Sequence, residues 1–191
     1  MKDGEDYCPS DKQDWKKWLE LNHNKKEAIW LIFYKKKSPN YNLNWSESVD
    51  EALCFGWIDS VKKSIDTEKY KQYFSKRKAK STWSKINKDK VKTLFDQGLM
   101  KEEGYKSIEI AKENGSWTFL DEVEALVIPE DFKKEFTNYK GSMEYFDSLS
   151  KSAKKILLYW VVSAKRKETR QKRILEIAEN ASKNLKPKQF R

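Results

Sequence analysis

The sequence predicts an α+β protein: a small antiparallel sheet with helices over about residues 1–115, followed by a helical part over about 116–191 packed on it. Three observations carry this reading. Runs rich in β-branched and aromatic residues, EAIWLIFYKKK at 27–37 and the stretch 57–77, are confined to the first half. Beyond about residue 80 apolar residues recur at helical spacing. The composition, 38% hydrophobic, 37% charged and 14% aromatic, gives a heavily charged surface over a core in which aromatics do much of the filling.

The elements follow in order. Ser10-Asp-Lys-Gln13 after Pro9 has the form of a capping box, and Trp15, Trp18 and Leu19 then make one apolar stripe of a helix ending near His23-Asn24. The run 27–37 reads as a largely buried strand, stopped by Ser38-Pro39-Asn40. A second helix begins at Ser46, with Glu47, Asp50 and Glu51 in its early turns, where acids suit the positive end of the helix. Gly56 stands where that helix should stop. Trp57 to Ile65 alternates imperfectly, Asp66–Lys69 is a turn, and Tyr70–Arg77 returns, so 57–77 is a β-hairpin with Trp57 and Asp59 on one face. Ser81 or Thr82 caps the next helix, with Ile86, Val91, Leu94 and Phe95 running to Gly98, and another covers about 102–114. Pro129 opens a short helix and Gly141–Leu149 forms another. From Ser152 two apolar stripes follow, Ile156, Leu157, Trp160, Val161 and Ala164, then Ile174, Ile177, Ala178 and Ala181. They are out of phase, which predicts a helix break near Lys165–Glu168. The tail from Leu185 reads as loose.

Net charge is +10 and it is segregated. Residues 150–191 carry +10 and residues 62–92 carry +9, while 93–149 carry −7. Such fields attract anions. The two cysteines, Cys8 and Cys54, lie in unlike contexts, so a reducing compartment is expected rather than a disulfide. The acidic N-terminus MKDGEDYCPS has no apolar signal core, and the longest apolar run, ILLYWVV, is too short to span a bilayer. A cytoplasmic protein without membrane insertion is the expectation.

Several chemistries are excluded by residue supply. One histidine and two dispersed cysteines cannot build a zinc centre, the acid clusters lack the spacing of a calcium loop, and no glycine-rich phosphate loop or GxSxG is present. No metal, no cofactor and no catalytic residue is assigned. In ALCFGWIDS (52–60), Cys54 falls late in a helix, away from the end that stabilises a thiolate, and reads as core. Asp59 needs a partner if its face is buried, with Arg77 or Lys63 available, and it otherwise rims a pocket. In KRKAKSTWSKINK (76–88) a basic loop enters a helix N-terminus carrying Ser81, Thr82 and Ser84, either a solvated basic face or an anion site. AKRKETRQKRI (164–174) is the densest charge run, with Arg166 and Arg170 sharing a helical face.

The blocks ALCFGWIDS, YFSKRKAKSTWSKIN and AKRKETRQKRI, in that order, resemble the YdeI/OmpD-associated family, also labelled bacteriocin-protection proteins, from about Trp15 to about Ala178. The resemblance implies a YjbR/CyaY-like N-terminal part with an antiparallel sheet, a helical C-terminal part, and a role in bacteriocin or antimicrobial-peptide tolerance. It implies no catalytic residue or cofactor. The family commonly has Pro-Arg where Lys76-Arg77 stands and often a proline in place of Lys167. The family name also points to a porin, against which the missing secretion signal argues. The functional expectation is a non-catalytic cytoplasmic binding protein for an anionic ligand, its site lined by Trp57, Asp59, Arg77, Ser81, Trp83 and Ser84. The alternative is nucleic-acid or other anion binding through Lys76, Lys78, Lys80, Lys165, Arg166, Arg170 and Arg173. A small-molecule enzyme with Asp59 as acid/base is the weaker alternative.

Overall fold

The computed structural model describes residues 4–191. The chain divides into two compact units, Met1–Thr118 and Phe119–Arg191, each with its own core. The first unit is the α+β part. Its strands β1 (Asp6–Tyr7), β2 (Ala28–Tyr34), β3 (Trp57–Ser64) and β4 (Lys69–Lys76) form a four-stranded sheet in the order β1-β2-β4-β3. The predicted hairpin is β3–β4, with Trp57 opposite Lys76 and Asp59 opposite Phe74. Its turn is fastened by Asp66, whose Oδ1 accepts from the backbone N–H groups of Glu68 and Lys69, both at 2.8 Å. The sheet is mixed rather than purely antiparallel, because β1 runs parallel to β2. Two residues of pairing leave no alternation to read, so no sequence pattern marks β1.

Helices α1 (Lys12–Asn22), α2 (Trp45–Cys54), α3 (Lys85–Asp96) and α4 (Glu102–Glu113) complete the unit. Trp15 and Leu19 of α1, Ile29, Leu31 and Phe33 of β2, Leu53 of α2, and Trp57 and Phe74 share one core. The N-caps fall one to three residues away from those expected. Asp11, not Ser10, caps α1 by accepting from Asp14 N (2.8 Å), Asn44 caps α2, and Ser84 rather than Ser81 or Thr82 caps α3. Ile86 and Phe95, placed on the apolar stripe of α3 by spacing, are 66% and 58% exposed, and Val91 and Leu94 are the buried pair.

A backbone contact between α2 and α4 shapes the site. Gly56 closes α2 with φ +70°, and a Cβ there would lie 2.7 Å from the Glu103 carbonyl oxygen. A Cβ on Gly104 would collide with the Cys54 carbonyl oxygen, which accepts from Lys101 N at 3.0 Å. Two glycines facing each other's backbones therefore bring the start of α4 onto the α2–β3 corner.

The second unit is helical: α5 (Asp121–Glu124), α6 (Glu130–Phe136), α7 (Ser142–Ser148), α8 (Lys151–Val162) and α9 (Lys167–Ala181). Phe132, Phe136 and Phe146 pack as a triad, with Phe132–Phe136 centroids 4.2 Å apart, against Leu157, Leu158 and Val161 of α8 and Ile174, Ile177, Ala178 and Ala181 of α9. The stripe expected for α9 is buried throughout. That of α8 is rotated, with Leu158 inside and Ile156 51% exposed. The predicted break falls at residues 163–166, and Lys167 is the first helical residue of α9, a position that accepts proline. The tail is fastened rather than loose. Residues Lys188–Phe190 form a 3₁₀ turn, Phe190 packs edge-on to Trp160 (5.3 Å), and Arg191 Nη2 donates to Asn180 Oδ1 (3.0 Å).

Candidate functional site

The α2–β3 corner, the end of β4 and the start of α4 enclose a cavity of about 340 Å³ in the first unit. Phe55, Gly56 and Trp57 come from the corner, Lys76, Arg77 and Lys78 from the end of β4 and the loop after it, Glu103, Ser107 and Ile110 from α4, and His23 from the end of α1. The corner positions Arg77 directly, since its backbone N–H donates to Gly56 O at 2.9 Å.

Arg77 is the unusual member. Its guanidinium lies over the Trp83 ring, 3.6 Å from the centroid, and Nη1 donates to Thr82 O at 3.1 Å. The other hydrogen-bonding edge, Nε with Nη2, is buried and has no partner in the protein. Burial lowers the pKa of Arg77 to about 10, opposed by attraction to Asp59, and the group remains a cation at neutral pH. A buried cation with an unpaired edge is costly, and that edge has the geometry that takes a carboxylate or phosphate with two parallel bonds.

His23 caps α1, and its Nδ1 lies 2.7 Å from Leu19 O. A carbonyl only accepts, so Nδ1 carries a proton. Nε2 is buried, has no hydrogen-bond partner and lies 3.5 Å from Glu103 Oε2. The carboxyl of Glu103 is held below the usual range mainly by its own backbone N–H, with smaller help from Asn24 and the His23 ring, against the effect of partial burial.

Of the six residues expected to line one pocket, Trp57 and Arg77 line the cavity, and Trp83, 1% exposed, lies behind Arg77. Asp59, Ser81 and Ser84 are placed elsewhere. Asp59 Oδ2 accepts from Trp45 Nε1 (3.0 Å) and Gln72 Nε2 (2.8 Å), in place of the expected ion pair with Arg77 or Lys63. Ser84 is occupied as the α3 cap, accepting from Asn87 N at 3.3 Å, and Ser81 N–H closes a turn onto Lys78 O at 2.9 Å. Cys54 is buried, and burial pushes its thiol up to about 12, so it carries no thiolate chemistry near neutrality.

The basic segments are partly consumed by internal pairing. Lys76 donates to Glu27 at 2.7 Å, while Lys78 and Lys80 are exposed. In the second unit Arg170 forms a two-point pair with Asp131 (2.6 and 2.8 Å), and Arg173 donates to Trp160 O and Ser163 Oγ. Lys165 and Arg166 remain exposed. Two of the arginines expected to meet phosphates thus hold α9 to its own neighbours. Sequence reasoning missed His23, Glu103 and Ile110 as cavity residues. The available signal was Gly104, a glycine inside a helical pattern, which marks a close backbone approach. No group of His, Cys, Asp and Glu able to hold a metal ion occurs among the described residues, and no helix among them is long and apolar enough to cross a membrane.

Fold and cavity together define an α+β domain with a cation-walled cavity, followed by a helical domain. Residues 7–107, more than half of the chain, match the model of a domain of unknown function (DUF8412), and residues 125–184 match the model described as Bacteriocin-protection, YdeI or OmpD-Associated. The chain belongs to the DUF8412 family, and its second unit carries a YdeI/OmpD-associated domain. The N-terminal part is thus matched by a domain of unknown function and not by a YjbR/CyaY-like one. Of the three sequence blocks, only AKRKETRQKRI falls within the YdeI/OmpD-associated match. No curated protein and no solved structure matches the chain.

Proposed function

We propose that the first unit is a non-catalytic binding domain for a small organic anion, held in the cavity by Arg77. The observation that carries the reading is the unpaired Nε–Nη2 edge of a buried guanidinium in a cavity wall otherwise built from Phe55, Trp57 and Ile110. An acidic head would take that edge, and an apolar body would lie on the aromatic and aliphatic wall. Those nitrogens are shielded from solvent, so ligand entry shifts Arg77 on Trp83 and changes the indole environment.

The test is titration of the full chain with 3-phenylpropionate and phenyl phosphate, followed by amide NMR and tryptophan fluorescence. Expected are shifts at residues 55–57, 76–78 and 103–110, and their loss in Arg77→Gln. No shift at those residues up to about 10 mM ligand, corresponding to binding weaker than roughly 3 kcal/mol, overturns the proposal. The free thiols of Cys8 and Cys54 support a reducing, cytoplasmic location. The match of residues 125–184 supports a role of the chain in bacteriocin tolerance, to which ligand binding in the first unit would be coupled. A host strain lacking the protein would be more sensitive to bacteriocin, and Arg77→Gln would fail to restore tolerance where the unaltered chain restores it.

A further inference from the structure

We infer that the ligand of this cavity is amphoteric, an α-amino acid with an apolar side chain or a close relative, rather than a simple anion. The inference rests on the anion-binding reading of Arg77 and adds the opposite pole of the same cavity. His23 and Glu103 both line it. With the Nδ1 proton directed at Leu19 O, Nε2 is buried and without a hydrogen-bond partner, and in the neutral form of the ring it is an acceptor. Glu103 Oε2, a second acceptor, lies 3.5 Å from it. In that form two acceptors stand side by side and neither donates to the other, a receptor for a group with several N–H donors, since an ammonium can donate to both at once.

The cavity therefore carries a cationic donor edge at Arg77 and an acceptor pair at His23 and Glu103, with an apolar wall of Phe55, Trp57 and Ile110. Carboxylate, ammonium and apolar side chain match these features in turn. At about 340 Å³ the space suits one amino acid of moderate size. A monocarboxylate would leave the acceptor pair unused, and a phosphate would place negative charge near the Glu103 carboxylate.

The experiment compares L-phenylalanine with 3-phenylpropionate, which lacks the amine, and phenethylamine, which lacks the carboxylate, by calorimetry and amide NMR on the full chain. Expected is binding of L-phenylalanine at least about tenfold tighter than either analogue, as charge-assisted hydrogen bonds at both poles require. In Glu103→Gln, and separately in His23→Gln, the preference for the amino acid over 3-phenylpropionate shrinks to about twofold or less. Circular dichroism confirms that both variants are folded. If 3-phenylpropionate binds as tightly as L-phenylalanine, or if neither variant changes the ratio, the amphoteric reading is overturned while anion binding by Arg77 stands. If none of the three ligands shifts the cavity residues, both readings fall.

Discussion

Arg77 shows what one residue is asked to do at this site. Taking a guanidinium out of water costs several kcal/mol unless its donors are paired, and here one donor edge is unpaired. A cation kept only for structure would lose stability when replaced. One kept for a ligand would not. Arg77→Met, which keeps the volume against Trp83, should therefore leave the melting temperature unchanged or raise it while abolishing anion binding, as checked by thermal denaturation and titration of the same preparation. A loss of more than about 2 kcal/mol would mark Arg77 as structural instead. The sequence supports less at Asp59. Its partner Trp45 stands at the start of α2, 14 residues away, and no spacing rule joins a strand residue to that indole.

Among the elements, the crossing of α2 and α4 rests on two glycines with different duties. Gly56 needs both φ +70° and the absence of a Cβ, whereas Gly104 lies within α4 and needs only the latter. Gly56→Ala should cost about 2–3 kcal/mol from left-handed backbone strain and contact with Glu103 O. Gly104→Ala should also cost about 2 kcal/mol, although alanine favours helices, because its Cβ meets Cys54 O. Denaturant titration checks both, and a stabilised Gly104→Ala would refute the close approach. In the second unit α6 and α9 are joined by Asp131 and Arg170. The hydrogen bond from Arg170 is the main reason the Asp131 carboxyl lies below its ordinary value. Its folded pKa is thus below the unfolded value of about 3.9, so the stabilisation is complete above that pH and is lost as pH falls through the folded pKa. Because the pair is partly exposed, its worth is discounted to about 1 kcal/mol. Asp131→Asn should cost that much at pH 7, and the difference should vanish as pH falls below the lowered folded pKa of Asp131, as read from urea midpoints across the range.

At the scale of the molecule, every cavity residue belongs to the unit ending at Thr118. A fragment of residues 1–118 should therefore fold and bind 3-phenylpropionate within about twofold of the full chain, by calorimetry. Failure of the folded fragment to bind would show that the first unit is insufficient. Charge at this scale is deceptive in sequence. The +10 carried by residues 150–191 includes Arg170 and Arg173, which the fold turns to internal partners. The sequence by itself determined the α+β class, the β3–β4 hairpin, the stop at Gly56, the break before α9 and the burial of Cys54. Each is set by local chemistry: apolar periodicity, turn residues, glycine's access to positive φ and the shortage of partners for a thiolate. Only the tertiary structure decided the cavity. His23, Gly56, Arg77 and Glu103 stand on separate stretches of chain, and they meet because Gly56 and Gly104 let two backbones approach. A contact of that kind depends on atoms distant in sequence, so no window of neighbouring residues encodes it.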